Sequence, residues 1–371
     1  MTWKSVAWMV FVLLLVRQEP VIWRQKDFFE SLDYYALTPL TEYPTVATWP
    51  LKLFGDHVQV GFVVLLVVVQ AAILWACVFF ERREAAALWL ALIAAMGPLM
   101  LSRMDLLPAA AVALCAVLLV SFPATAAVVL AVATAMKLWP GLVAACLLGS
   151  WRRVGGFVLG FAALVGASVA IHGVERTVSP VLYQQDRGLQ IESVFGAPLL
   201  LRADTHVDFA PSMSYEVFGG GVGAMLVVAT AAQVAVVLLA AGLGLLTAMR
   251  WSHETALACA MSIVWLVIVT NKVFSPQYVI WVLPLAVVVA AVSVCRVAHV
   301  VAWLCVPLVV LTGLVYPLMY DEILLQQPAA VWVLNARNIA VVVLAGLSLW
   351  WWVLAWRAAQ PTGGWASWRA R

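Results

Sequence analysis

The sequence predicts an all-α, polytopic membrane protein. Three observations carry that prediction. Hydrophobic residues make up 65% of the chain and charged residues 11%, against about 25% charged in an ordinary soluble domain. Apolar runs approaching the roughly 20 residues that a span needs follow one another along the chain. Lys and Arg fall in alternate connections between those runs, the pattern of the positive-inside rule. Together they predict one integral membrane domain over 1–371, a helical bundle of about 12 spans with polar loops on the outer face.

The first run, 4–16, begins at Lys4 and has the length of a signal peptide. Arg17-Gln18-Glu19-Pro20 stands where small residues would mark a cleavage site, so the run reads as a retained span. Further runs are 58–80, 85–101, 106–122, 124–136, 139–151, 154–172, 221–248, 255–270, 278–295, 298–318 and 333–356. Several are short, which suggests tilted, re-entrant or broken helices lined by protein or a water-filled cavity.

With both termini cytoplasmic, Arg82, Arg83, Arg152, Arg153, Arg250, Arg296 and the tail residues Arg357, Arg369 and Arg371 all fall inside. Of the 18 acids, Glu81, Glu84 and Glu254 alone fall inside; Asp27, Glu30, Asp33, Glu42, Asp105, Glu192 and Asp321 face outward with the rest. Acids follow no orientation rule of their own, so their segregation suggests an outward-facing polar site.

Other classes of function find little support. No basic stripe suggests nucleic acid. The six cysteines, at 77, 115, 146, 259, 295 and 305, lie in apolar runs without a C-x-x-C pair and read as buried small side chains. The histidines at 57, 172, 206, 253 and 299 show no metal-ligand spacing, and neither a P-loop, an H-E-x-x-H nor a G-x-S-x-G occurs. No metal and no cofactor is expected. The 19 tryptophans, many near span ends, fit an aromatic belt.

Five outer segments collect the polar residues. The first outer loop, 17–57, holds Asp27, Glu30, Asp33 and Glu42 with Tyr34, Tyr35 and Tyr43; carboxylates beside a membrane are costly and invite a functional reading. The second, 102–108, carries Arg103 and Asp105, which either pair with each other at a helix end or meet substrate. Lys137 stands between apolar runs with no acid near it in sequence. It either snorkels to the headgroups or awaits a phosphate beside the break at Pro140. The long outer loop, 173–220, carries Arg187, Gln190 and Glu192. The last segment carries Asn271, Lys272, Gln277 and Tyr278. Ammonium and guanidinium groups bind phosphate oxygens through charge-assisted hydrogen bonds, so Lys137, Arg187 and Lys272 form a candidate donor-phosphate set.

Several of these segments resemble glycosyltransferase family 87. Arg103-Met104-Asp105-Leu106-Leu107-Pro108 resembles its R-F-D-x-L-P, and Lys137-Leu138-Trp139-Pro140 its K-x-[WY]-P. Arg187 to Ser193 and Asn271 to Tyr278 look like two further family signatures. Asp33-Tyr34-Tyr35 followed by Leu40-Thr41-Glu42-Tyr43-Pro44 resembles its acidic loop before E-Y-P. The likeness runs in the same order from about 27 to 285. It implies a GT-C-type fold in the bacterial plasma membrane, a polyprenyl-phosphate sugar donor, and a glycolipid or lipoglycan acceptor at the outer face. It also implies inversion at the anomeric carbon and one Asp of the first loop as catalytic base. Among Asp27, Glu30 and Asp33, Asp33 is the first candidate and Asp27 the second.

The chemistry stands beside that likeness. The outer face offers no nucleotide, so an activated sugar, mannose by the resemblance, has to arrive on a lipid carrier. A carboxylate takes the proton of the acceptor hydroxyl as it attacks C1, and the lipid phosphate leaves from the opposite face. Tyr34, Tyr35, Glu42, Tyr43, Arg103, Asp105, Gln190, Glu192, Asn271, Gln277 and Tyr278 are the expected substrate contacts. The alternative function is a flippase or transporter of a lipid-linked sugar. Carriers place ionisable groups near the midplane and often show inverted repeats. Here the polar residues gather at one face and no clear repeat is found.

Overall fold

A backbone in hydrocarbon has no water to bond, so apolar runs fold as helices that satisfy their own N–H and C=O groups. The computed structural model describes residues 2–22, 26–184 and 187–361, with the backbone alone at 20–22, 26 and 27. In chain order the helices begin with α1 (Trp3–Ile22), α2 (Lys26–Leu37), α3 (Thr45–Lys52), α4 (Val58–Phe79), α5 (Arg83–Met96) and α6 (Leu99–Ser102). There follow α7 (Leu106–Leu118), α8 (Pro123–Met136), α9 (Pro140–Val143) and the long α10 (Trp151–Tyr183). Strands β1 (Thr205–Ala210) and β2 (Ser214–Gly219) come next. After them stand α11 (Val222–Met249), α12 (His253–Thr270), α13 (Leu283–Val292), α14 (Arg296–Gly313), α15 (Tyr320–Leu324) and α16 (Pro328–Ala358).

The expected all-α membrane class holds, but the count of 12 spans does not. Among the described residues six helical segments are long and apolar enough to cross a membrane: Gly55–Phe79, Trp151–Tyr183, Val222–Met249, His253–Thr270, Arg296–Leu318 and Pro328–Ala358. The other expected spans fail for local reasons. The run 85–101 breaks where Gly97, at φ 62°, and Pro98 end α5. The runs at 106–122 and 124–136 give helices of 13 and 14 residues, about 20 Å long against a hydrocarbon core of about 30 Å. The run 278–295 gives an apolar helical stretch, Pro276–Val292, that is likewise too short. The run 139–151 gives the four-residue α9 and a 3₁₀ turn, Ala144–Leu147. Helix α1 has 20 residues and covers the run 4–16, with Lys4 near its start and Arg17 and Glu19 near its end.

The chain divides into two compact units. The first comprises Met1–Gly141, Arg152–Pro180 and Val279–Val306. In it α13 packs on α5 and α7, α7 on α8, and α4 on α2 and α5. A polar residue in mid-span is partly satisfied within this core: Gln70 of α4 is fully buried, its side-chain nitrogen donates to the Met100 carbonyl at 3.2 Å and its backbone carbonyl accepts from the Trp89 indole at 3.0 Å, while its Oε1 is buried without a hydrogen-bond partner. Helix α10 kinks at Gly173, whose φ of 79° and ψ of 166° suit a residue without Cβ.

The second unit comprises Leu142–Trp151, Val181–Tyr278 and Pro307–Arg371. Helix α12 packs between α11 and α16. Its start is a capping box in which Ser252 and Thr255 each bond the other's backbone N–H, at 3.0 and 2.8 Å. The region read as the long outer loop 173–220 is more ordered than a loop. Its first part continues α10, and its last part is the antiparallel β1–β2 hairpin, paired Val207 to Val217. The hairpin closes over a core of Leu189, Ile191, Leu199, Val315, Ile323 and Val331.

Candidate functional site

The first outer loop is itself helical. Helix α2 turns Phe28, Leu32 and Tyr35 into the core, while Glu30 is exposed and Asp33 half-buried. Asp33 accepts a hydrogen bond from the Gln59 amide at the start of α4. Asp27 stands in the first turn of α2, and its side chain lies outside the described residues.

Around α2 the fold gathers motif segments distant in sequence. Arg103 donates to Ser31 Oγ at 2.6 Å, and Met104 N–H donates to the Tyr35 hydroxyl at 3.4 Å. Tyr34 donates to Glu42 at 2.5 Å, and the Tyr35 and Tyr43 hydroxyls lie 3.4 Å apart. Asp105 is fully buried, and its Oδ1 accepts from Lys137 Nζ and from the Trp281 indole, each at 2.5 Å. The Lys137 ammonium lies 5.3 Å from the ring centres of both Tyr43 and Trp281, within cation–π range. Trp139 stacks on Trp281 at 5.0 Å.

This geometry revises two expectations. Lys137 has no acid near it in sequence, but the fold supplies Asp105, so its charge is already shared. Asp105 is closed off from solvent: its Oδ1 holds Lys137 in place, and its Oδ2 is buried without a hydrogen-bond partner. Burial raises the Tyr43 phenol well above its ordinary pKa, and nearby Tyr35, Asp105 and Glu42 push the same way. Tyr43 therefore remains neutral in this network.

Arg176, which the sequence reading passed over, locks the loop from the far side. Its guanidinium donates to the carbonyls of Tyr43 at 3.1 Å, Leu40 at 2.9 Å and Pro39 at 3.4 Å. Ser179 Oγ donates to the Thr41 carbonyl at 2.8 Å. Leu40 sits at φ 49°, a turn conformation that side chains resist and that these bonds hold. Replacing Arg176 by Gln is expected to cost about 1.5–3 kcal/mol, the range for charge-assisted hydrogen bonds. The drop in melting temperature of the purified protein would measure it, and an unchanged melting curve would refute the clamp.

The remaining motif residues form a separate cluster in the second unit. Gln190 N–H donates to the Lys272 carbonyl at 3.0 Å, its amide nitrogen to Ser275 Oγ at 3.2 Å, and its amide oxygen accepts from Phe274 N–H at 2.7 Å. Strand β2 holds the same segment. Val217 N–H donates to the Leu189 carbonyl, Ile191 N–H to that of Tyr215, and Gly188 N–H to Glu216 at 3.1 Å. Arg187 lies 5.6 Å from the Tyr183 ring centre. Asn271 accepts from Val273 N–H at 3.0 Å, which shapes its own turn. Gln277 is half-buried and Tyr278 buried.

Glu192, expected to touch substrate, is instead wholly buried and paired with Arg337 of α16 at 3.2 Å. Burial pushes its carboxyl up to about 7, against the opposing pull of the guanidinium. Arg337 also donates to the Glu192 carbonyl at 3.1 Å and stacks 4.0 Å from the Phe274 ring centre; Asn338 donates to the carbonyls of Glu192 and Ser193. Arg337 was missed although a signal was present. A lone arginine inside a long apolar run requires a buried partner.

No family model, curated protein or solved structure matches this chain. Among the described residues no group of three His, Cys, Asp or Glu side chains is placed to hold a metal ion.

Proposed function

We propose that this membrane protein is an inverting glycosyltransferase. It moves a sugar, mannose in the first instance, from a polyprenyl-phosphate donor to a hydroxyl of a glycolipid or lipoglycan at the outer face of a bacterial plasma membrane. One observation carries the reading. Tyr35, Tyr43, Asp105 and Lys137, from three motif segments that resemble one family, converge around the helix that presents Asp33.

In this reading Asp33 is the general base, with Asp27 second. Its half-buried carboxylate, oriented by Gln59, takes the acceptor proton while the hydroxyl attacks C1. Glu42 orients Tyr34, and the Asp105–Lys137 pair sets the position of Tyr43 beside it. Lys137 brings to a departing phosphate a charge that Asp105 already shares, so it assists less than an unpaired ammonium would. Arg187 and Lys272 belong to the second unit, and the base chemistry needs neither.

The test is reconstitution. Proteoliposomes holding the full chain and labelled polyprenyl-phosphate mannose are expected to yield labelled acceptor lipid. Movement of intact lipid-linked sugar between leaflets, with no labelled acceptor formed, would favour the flippase and overturn the proposal.

A further inference from the structure

Within the first unit a partly open cleft of about 410 Å³ lies between α3, the start of α4 and the kinked part of α10. Three nitrogen-bearing side chains line it, Lys52, His172 and Arg176, together with the polar residues Tyr35, Thr38, Thr45 and Thr48. No carboxylate lines it among the described residues. Lys52 and Arg176 both lie close enough to His172 to act on it electrostatically. Arg176 has its terminal nitrogens committed to backbone carbonyls and Ser179, so it brings charge and a rigid wall. Lys52 is exposed and forms no ion pair among the described residues, and His172 Nε2 is shielded from solvent without a hydrogen-bond partner. Glu42, which does not line the cleft, acts on Arg176 from outside it; a concavity lined by cations and hydroxyls and by no carboxylate suits an anion.

Its depth narrows the choice of anion. The candidate span Gly55–Phe79 begins at the cleft wall with Gly55 and Val58, above exposed Val60, Val64 and Val68. Helix α10 has 33 residues, about 50 Å of helix against a hydrocarbon core of about 30 Å, so part of it stands outside the core. The polar run His172-Gly173-Val174-Glu175-Arg176, with its kink, marks where it leaves. The cleft thus opens where two spans end, at the level of lipid phosphates.

We propose that this cleft binds the phosphate ester of a membrane lipid. The site goes beyond sugar transfer and holds whether or not the protein is a transferase. Binding to the purified full chain in detergent, read by native mass spectrometry, tests it with four probes: phosphatidylglycerol, polyprenyl phosphate, diacylglycerol and inorganic phosphate. Both lipid phosphates are expected to bind, with the tighter one identifying the source, while diacylglycerol and inorganic phosphate bind far more weakly. Reversing the charge at exposed Lys52 (Lys52→Glu) is expected to weaken lipid-phosphate binding about tenfold or more. Lys4→Gln, at a half-buried residue paired with Glu81 beyond the other end of α4, is expected to leave it unchanged. Equal binding of diacylglycerol, or full binding by a folded Lys52→Glu protein, overturns the site. Inorganic phosphate binding as tightly as the lipids overturns the lipid assignment.

Discussion

Replacing Asp33 by Asn is expected to lower sugar transfer by about 10²–10⁴-fold, the usual contribution of a general base, while leaving the fold intact. The reason lies in how Asp33 is held. Its partner is a neutral amide donor, Gln59, and an asparagine oxygen can accept the same bond. The buried face of α2, Phe28, Leu32 and Tyr35, is untouched. What the substitution removes is basicity, so kcat should fall with little change in melting temperature or donor binding. Glu42→Gln is expected to be milder, because Glu42 acts through Tyr34. If Asp33→Asn and Asp27→Asn both transfer at the wild-type rate, base catalysis from the first loop is wrong.

The largest effect on stability is expected at Arg337. Arg337→Met leaves the Glu192 carboxylate buried without its partner, and breaking such a pair from one side costs about 3–5 kcal/mol. The same change removes the contact with Phe274 and the bond to the Glu192 carbonyl. Those links tie the segments 187–193 and 271–278 to α16, so both should become more accessible to protease. Pairing Arg337→Met with Glu192→Gln should recover much of the loss, since no buried charge then stands alone. A single Arg337→Met protein that melts with the wild type would show that the pair contributes nothing.

The pH dependence follows from Glu192. Burial lifts its folded pKa to about 7, above the ordinary glutamate value. Over the interval between the two, the folded state keeps a proton that the unfolded state has released. Stability is therefore full below the ordinary glutamate pKa, falls as pH rises through about 7, and levels off above it. Glu192→Gln should flatten that part of the melting-temperature curve; an unchanged slope would mean that another group carries it.

Sequence alone determined the class and the segments that carry chemistry. Hydropathy is a property of each stretch by itself, and an apolar backbone without water has to become a helix. That is why α4, α11 and α16 were legible, and why the polar runs at 27–44, 103–108, 137–140, 187–193 and 271–278 stood out. The tertiary structure decided span lengths and partners. The glycine–proline break at 97–98 and the passage from α9 to a 3₁₀ turn at 144–147 shorten runs that hydropathy counts as continuous. Lys137 finds Asp105 from 32 residues away, Arg176 reaches the Tyr43 carbonyl across 133, and Glu192 meets Arg337 across 145. A charge in a low-dielectric interior is stabilised by whatever lies within a few ångströms of it. That neighbour is a fact of packing, and no reading along the chain supplies it.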